Sequence, residues 1–592
     1  MVLYLTEYLD SMLLCYVILL IDWELTVNRA SQQATSCDRL GASSVDQLFD
    51  ISSPPSEERM SERPLSYAVR LAAVCTVVLV RVLVGYQPHS GQNNHHGSKV
   101  AYGGDFEAQR HWMEITVNLP VGEWYYYDLS YWGLDYPPLS AYQSWVCGKL
   151  SHLLVGPESV ALDVSRGLED STHKAFMRAT VIAFDLVFYA SAAWLWTRPL
   201  SRQRHHTYES LVIFLRVMLE PSVLLIDHGH FQYNTAALGM ALWSFYYCTK
   251  YARSTSMVWP VIGSIFFCFA LSFKQMTLYY APAVFAYLLG WCFQNRLPKT
   301  QTLWRFVALG LTVVTTFAVI WWPFVMFGPE DYTLSSRLLH VLRRIFPFQR
   351  GLFEGKVANL WCALSVQPFR LRARIPTELQ PLAALVLTFG MILPACYKLF
   401  QIGRQAKDQS SSLVASMVHR RYLLWGAANT SLAFFLASFQ VHEKSLLMAV
   451  APISILAMES PGFSDWFSFV ATWTMWPLLV LDRLQSDYYC VLVLFGIFLT
   501  VVHDVSSNTE KAPDSCDNGI FKRALFKPIP FISAITMIGL HTAEYLVEPP
   551  DAMPDIFPVL WSVVGCGFCL FAYLVSIWEL YRSDFIIKEK DD

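Results

Sequence analysis

Apolar runs close to the ~20 residues that a helix needs to cross a bilayer recur along almost the whole chain. They fall at about 66–86, 176–197, 207–227, 231–249, 257–273, 276–293, 304–327, 380–400, 420–439, 444–458, 463–481, 488–503, 529–546 and 556–579. Short polar stretches separate them, and the pattern predicts an all-α polytopic membrane protein with about fourteen transmembrane helices. The run at 137–155 is different. Gln143, Lys149 and His152 make it amphipathic, so it is expected to lie along the membrane surface.

That placement sets the topology. With 137–155 at the interface, the connections near 198–206, 250–256, 294–303, 401–421 and 504–528 share one side, and they carry Lys and Arg from Arg198 and Arg202 through to Lys522 and Lys527. This is the charge bias of cytoplasmic loops. The opposite side then receives five polar clusters: the loop holding Asp105, residues 227–234, residues 273–276, the 328–379 loop and residues 441–444. The 328–379 loop is itself basic, against the bias, but long loops weigh little in orientation. At the start, an apolar stretch over 1–22 is interrupted by Glu7 and Asp10 and followed by a Ser-rich polar segment. Met60 opens a sequence that reads as a cytosolic lead into the first span, so 1–59 is expected to be a dispensable extension and 60–592 a single membrane domain.

Composition agrees. The chain is 54% hydrophobic and only 15% charged, where soluble domains run near a quarter charged. The net charge of −3 and the lack of a basic block give no sign of nucleic-acid binding. Cysteines fall mostly in apolar runs, and the Cys566/Cys569 pair lacks a second pair with which to bind a metal. No glycine pattern for a nucleotide phosphate is present, so a soluble nucleotide donor is not supported and no cofactor is expected. The Asn429-Thr430-Ser431 sequon lies in an apolar run, where a glycan is not expected.

The polar clusters carry the candidate chemistry. Asp105 and Glu107 stand two apart before a short interfacial helix, with Arg110 and His111 following. Capping of the helix and catalysis are both consistent with Asp105 there. The aromatic run 124–138 suits a membrane interface, and its rings also suit the faces of sugars. Asp227, His228, His230, Gln232 and Asn234 crowd a junction between apolar runs, where unpaired polar groups would cost several kcal/mol. The spacing of the two histidines matches no closed metal site, so none is expected. Lys274, Arg343, Arg344, Arg350, Lys356, His442, Glu443 and Lys444 would add a largely positive surface on the same side, suited to phosphate oxygens.

Taken in order, GDFEAQRHW (104–112), WGLDYPPL (132–139), DHGHFQYN (227–234), FKQM (273–276), RRIFPFQRGLFE (343–354) and FQVHEK (439–444) closely resemble the dolichyl-phosphate-glucose-dependent α-1,3-glucosyltransferases of the endoplasmic reticulum. The resemblance covers about residues 66–585, and Ala108-Gln109-Arg110-His111 with Ser438-Phe439-Gln440 favour the branch that adds the first glucose over the branch that adds the second. Gly355 departs from the family, which is expected to hold an acidic residue there.

The resemblance implies a GT-C glycosyltransferase fold, with interfacial helices in a first luminal loop at 87–175 and a large luminal loop at 328–379. It implies an endoplasmic reticulum membrane location with the active site facing the lumen. The donor would be dolichyl-phosphate-glucose, and the acceptor Man9GlcNAc2 on dolichyl pyrophosphate. Asp105 would be the catalytic base, and His442 and Lys444 would meet the donor phosphate. Glu107, Arg110, His111, His228, His230, Gln232, Lys274, Arg343, Arg344 and Glu443 are expected to contribute to substrate binding. The rival from another class is a polytopic lipid transporter, which would explain the spans but not the carboxylate pair in a sizeable loop. The sequence leaves the oligomeric state open.

Overall fold

A computed structural model describes residues 67–92, 103–198, 204–250, 256–295, 297–346, 357–405, 412–509 and 528–582. The 1–59 extension, Arg350, Gly355 and Lys356 lie outside the described residues. Those described form helices and connecting loops, with no strand among them. This is the outcome expected in lipid, where each backbone N–H and C=O must find its partner within its own segment or in a closed barrel.

All fourteen apolar runs are helical where described, but they divide into two kinds. Among the described residues seven helices are long and apolar enough to span a bilayer: Ala68–Tyr86, Ser171–Thr197, Lys299–Met326, Thr377–Arg404, Gln485–His503, Pro528–Leu546 and Ile556–Tyr581. Several of the others are shorter or broken. Pro221 ends the helix of 204–218, and a wide π turn, Leu224–Phe231, follows it. The run at 463–481 divides into Pro461–Thr474 and Trp476–Leu481, with Pro477 at the start of the second piece. Proline lacks the N–H that would continue the ladder and sits without cost only in a first turn.

Burial separates the two kinds. Asn234–Thr249 is buried along nearly its whole length, whereas Lys299–Met326 turns Trp304, Leu311, Val314 and Val319 outward, the last 75% exposed. A contiguous face of that sort is unfavourable in water and suits lipid. The protein is a polytopic membrane protein. Inner helices approach closely where side chains are small: a Cβ on Gly290 would run into the Phe400 carbonyl, and one on Gly403 into that of Tyr287. Small residues at such crossings are the usual device of helix packing in membranes.

Helix Pro138–Leu154 has two faces, but they do not follow the pattern of Gln143, Lys149 and His152: Gln143 is buried with Ser140, Ser144 and Ser151, whereas Lys149 and His152 are exposed. Gly148 backs onto Met113 and Val117 of helix Asp105–Asn118, while Trp145, Val146, Leu150, Leu153 and Leu154 are exposed. The two helices and the aromatic loop between them make a second, smaller core. Trp112, Trp124, Tyr125 and Leu134 pack there against Phe324, Val341 and Ile345. Most of the aromatic run is therefore packing, and it ties the first loop to helices Lys299–Met326 and Leu334–Ile345.

Candidate active site

Asp105 is the first residue of helix Asp105–Asn118, and the capping position belongs to Gly104. The free N–H of Phe106 is met by the Ser90 hydroxyl at 3.3 Å, so the Asp105 carboxylate is not needed as a cap. It turns instead toward three side chains brought from far along the chain. His230 Nε2 stands 2.7 Å from Asp105 Oδ2, and Gln232 Nε2 and Lys444 Nζ donate to the same oxygen. Among the described residues none of these donors reaches Oδ1, and the side chain is 26% exposed. Three donors converge on one oxygen, and none of the three turns to the other.

The π turn is what delivers two of these donors. Its wider coil ends at Phe231, whose φ of 84° is unusual for a residue with a Cβ, and Gln232 then runs extended. Arg178 holds the turn in place by donating to the carbonyls of His228 and Gly229, the second at 2.8 Å. Gln232 passes the network on: its Oε1 accepts from Lys274 Nζ at 2.7 Å and from the Tyr136 hydroxyl at 3.2 Å. Lys444 enters from the 3-10 turn Glu443–Leu446, and Gln440, just before it, also has a positive φ, of 59°.

Burial on its own would raise the Asp105 pKa. The charges of Lys444 and His230, with their hydrogen bonds, outweigh it and hold the carboxyl well below its ordinary range. Lys274 is pushed down, by burial and then by the Lys444 charge beside it. The arrangement offers an ionised carboxylate with the Lys444 amine on one oxygen and Lys274 linked to it through Gln232, a base beside groups that can meet an anion.

The model of the ALG6, ALG8 glycosyltransferase family matches residues 77–576. The chain belongs to this family. Proteins named dolichyl pyrophosphate Man9GlcNAc2 alpha-1,3-glucosyltransferase are among its relatives. That of Mus musculus is 37% identical over 497 residues, 80% of this chain and 91% of the relative. That of Gallus gallus is 36% identical, covering 86% of this chain and 97% of the relative. That of Saccharomyces cerevisiae is 34% identical, covering 86% and 90%. Membership makes the protein a glycosyltransferase and sets the transporter reading aside.

In this glycosyltransferase the predicted site residues divide into those at the carboxylate and those elsewhere. Asp105, His230, Gln232, Lys274 and Lys444 meet in one network. Glu107, Arg110 and His111 are buried farther along the same helix. Arg110 takes Glu107 at 2.8 and 2.7 Å and Glu114 at 2.7 Å, and the Tyr131 hydroxyl reaches Glu107 at 2.9 Å. Burial would raise the Glu114 carboxyl, yet His111 and Arg110 bring it down to about 2. His228 points into the helix core, where Asp185 sits between it and Arg81, 2.9 Å from each. Asp227 accepts from Asn234 Nδ2 and the Thr235 N–H at 2.6 Å each, holding the start of the next helix.

Arg344 donates to the carbonyls of Gly133 and Leu134 at 2.9 and 3.2 Å and so braces the aromatic loop, whereas Arg343 is exposed beside it. His442 is exposed and Glu443 half-buried next to Lys444. One residue at the centre was missed by sequence reasoning. Asp482 receives Nδ1 of His230, the far side of the ring that meets Asp105. In the sequence it is a lone acidic residue ending an apolar run, Leu481-Asp482-Arg483-Leu484, a pattern too common to single it out.

Proposed function

We propose that this glycosyltransferase moves glucose from dolichyl-phosphate-glucose to Man9GlcNAc2 on dolichyl pyrophosphate, forming an α-1,3 linkage with inversion. The half-pinned carboxylate of Asp105, with Lys444 and Lys274 nearby, is the observation that carries the reading. The relatives named for the Man9GlcNAc2 acceptor support it.

The mechanism needs one base. Glycosidases use two carboxylates because an alkoxide leaves poorly. A phosphate leaves as a stable anion, given positive groups to receive it. Asp105 Oδ1 accepts the proton of the mannose 3-hydroxyl while that oxygen attacks the anomeric carbon from the face opposite the phosphate. Inversion of a β-linked donor gives the α product. Lys444, with His442 beside it, meets the departing phosphate, and Lys274 positions Gln232 or joins them. Arg343 and Arg344 lie farther out, where they suit an incoming headgroup, and Glu107, Arg110 and His111 act by holding the helix that presents Asp105.

An apolar groove of about 620 Å³ suits the donor's isoprenoid tail. Leu271, Val313, Phe317, Trp321, Leu342 and Phe346 are among its lining residues. Pro137 and Gln275 border it too, each next in sequence to a member of the polar network, Tyr136 and Lys274. The loops at 87–175 and 328–379 would face the endoplasmic reticulum lumen, with 60–592 acting as one membrane unit. The purified protein tests the reading. It should transfer glucose from dolichyl-phosphate-glucose to lipid-linked Man9GlcNAc2. Transfer only to the acceptor that already carries one glucose would make it the second-glucose enzyme, and transfer to neither would end the proposal.

A further inference from the structure

We propose that Asp482 is a positioning residue for this transfer: acting through His230, it keeps one oxygen of Asp105 pinned and the other turned toward the acceptor hydroxyl. The inference deepens the functional reading above and rests on it. His230 lies between two carboxylates, with Nε2 at 2.7 Å from Asp105 and Nδ1 on Asp482. A ring that donates at both nitrogens is an imidazolium. Buried, such a cation needs a negative partner on each side.

The surrounding charges have been arranged around that ring. Lys444 Nζ is 3.1 Å from Nε2, and Arg178 sits on the neighbouring carbonyls of His228 and Gly229. Asp487 faces Arg178, and Lys274 holds the other end of Gln232. Burial and the Lys444 charge oppose protonation of His230, but Asp482 and Asp105 outweigh them and its pKa is raised.

A merely structural account of Asp482 is weak. It ends helix Trp476–Leu481, where the dipole disfavours a carboxylate, and Arg483 after it has a φ of 63°. The side chain is only 7% exposed, so water does not offset that placement, whereas His230 does. Without the Asp482 charge, His230 would lose its second proton at lower pH. The neutral ring would keep its one hydrogen on Nε2, toward the charged Asp105, with the new amide donating to Nδ1, so Asp105 Oδ2 would hold a weaker, uncharged donor and the ring would lose its ionic anchor on the far side. No proton travels beyond Asp105 in the reaction. Oδ1 takes it from the acceptor hydroxyl as the oxygen–carbon bond forms, and the bond from carbon to phosphate oxygen breaks with its electron pair leaving on phosphate.

The test is transfer by Asp482→Asn as a function of pH, in purified full-length protein shown to be folded by its thermal melt. Misplacing a reacting group by about an ångström costs on the order of 10²-fold, so kcat should fall by about 10- to 100-fold with little change in KM. The basic limb of kcat should move to lower pH by about one to three units, the usual effect of losing an adjacent opposite charge. Lys274 is untouched by the substitution and contributes equally to both profiles. Asp482→Glu should keep the limb in place with a reduced kcat.

An unchanged kcat overturns the inference, and so does an equal loss at every pH. Should Asp482→Asn not fold, Asp482→Glu decides: a displaced limb or a full kcat overturns it. If the unaltered protein transfers glucose to no acceptor, the functional reading fails instead. The Asp482–His230 link still has a readout then. A raised His230 pKa adds stability below its unfolded value near ~6.5, lost as pH rises through the folded value. Asp482→Asn should therefore flatten the fall in melting temperature across that range, and an unchanged slope overturns the link.

Discussion

Asp105 and Glu107 stand two residues apart in the sequence, yet the structure predicts opposite consequences for removing their charges. Glu107 is 2% exposed and both its oxygens are bonded to Arg110, which is itself fully buried. Arg110 also meets Glu114 at 2.7 Å and Ser165 at 2.6 Å. Breaking a buried pair by removing one partner costs about 3–5 kcal/mol, since the remaining charge stays out of water. Glu107→Gln keeps an oxygen for Arg110 and for Tyr131, and Glu114 still faces the guanidinium, so the lower end, about 3 kcal/mol, applies. The apparent melting temperature should fall by several degrees, since about 1 kcal/mol shifts it by ~2–4 °C even in domains of 150–250 residues. Glucose transfer per folded molecule should change less than about threefold, because no transition-state contact is lost. Melting of detergent-solubilised protein, with kcat corrected for the folded fraction, checks both. A variant with an unshifted melting temperature and no turnover would refute the reasoning and place Glu107 in the chemistry.

Asp105→Asn keeps the shape but removes the base, and kcat should fall by about 10²–10⁴-fold in protein that still folds, measured by single-turnover transfer. Burial raises the Asp105 pKa, but Lys444 and His230 more than reverse it, so the base form persists throughout the neutral range. The profile of kcat/KM against pH should therefore show no acid limb from Asp105 above about pH 4, the ordinary carboxylate value. Narrowing the apolar groove with Ala318→Trp should raise KM for a long-chain dolichyl donor and leave that for a short-chain analogue within about twofold, since only the long tail needs the space. Equal effects on both donors would remove the groove from donor binding.

Much of the molecule was legible without coordinates. Each apolar run became a helix, because in lipid the backbone has few other ways to satisfy its hydrogen bonds. Length was less legible: runs such as 444–458 and 463–481 are broken or short, and neighbouring helices, which the local pattern does not contain, cover them. The run at 138–154 was legible as a helix but its faces were not, since Gln143 is buried while Lys149 and His152 share the exposed side with Leu150 and Leu153.

The sequence by itself determined that this is an all-α membrane protein of the α-1,3-glucosyltransferase kind, and that acidic, histidine and lysine residues gather at the ends of its apolar runs. Both are local properties, carried by hydropathy and by motifs a few residues long. Only the tertiary structure decided which of those residues meet. His230, Lys444 and Asp482 converge on or beside Asp105 from 125 to 377 positions away, while Glu107, two positions off, is held by Arg110. Residues two apart on a helix point about 200° from each other, so the two meet different partners. Adjacency in the chain cannot predict adjacency in the site, because the packing of helices, and the π turn that re-aims His230 and Gln232, set it.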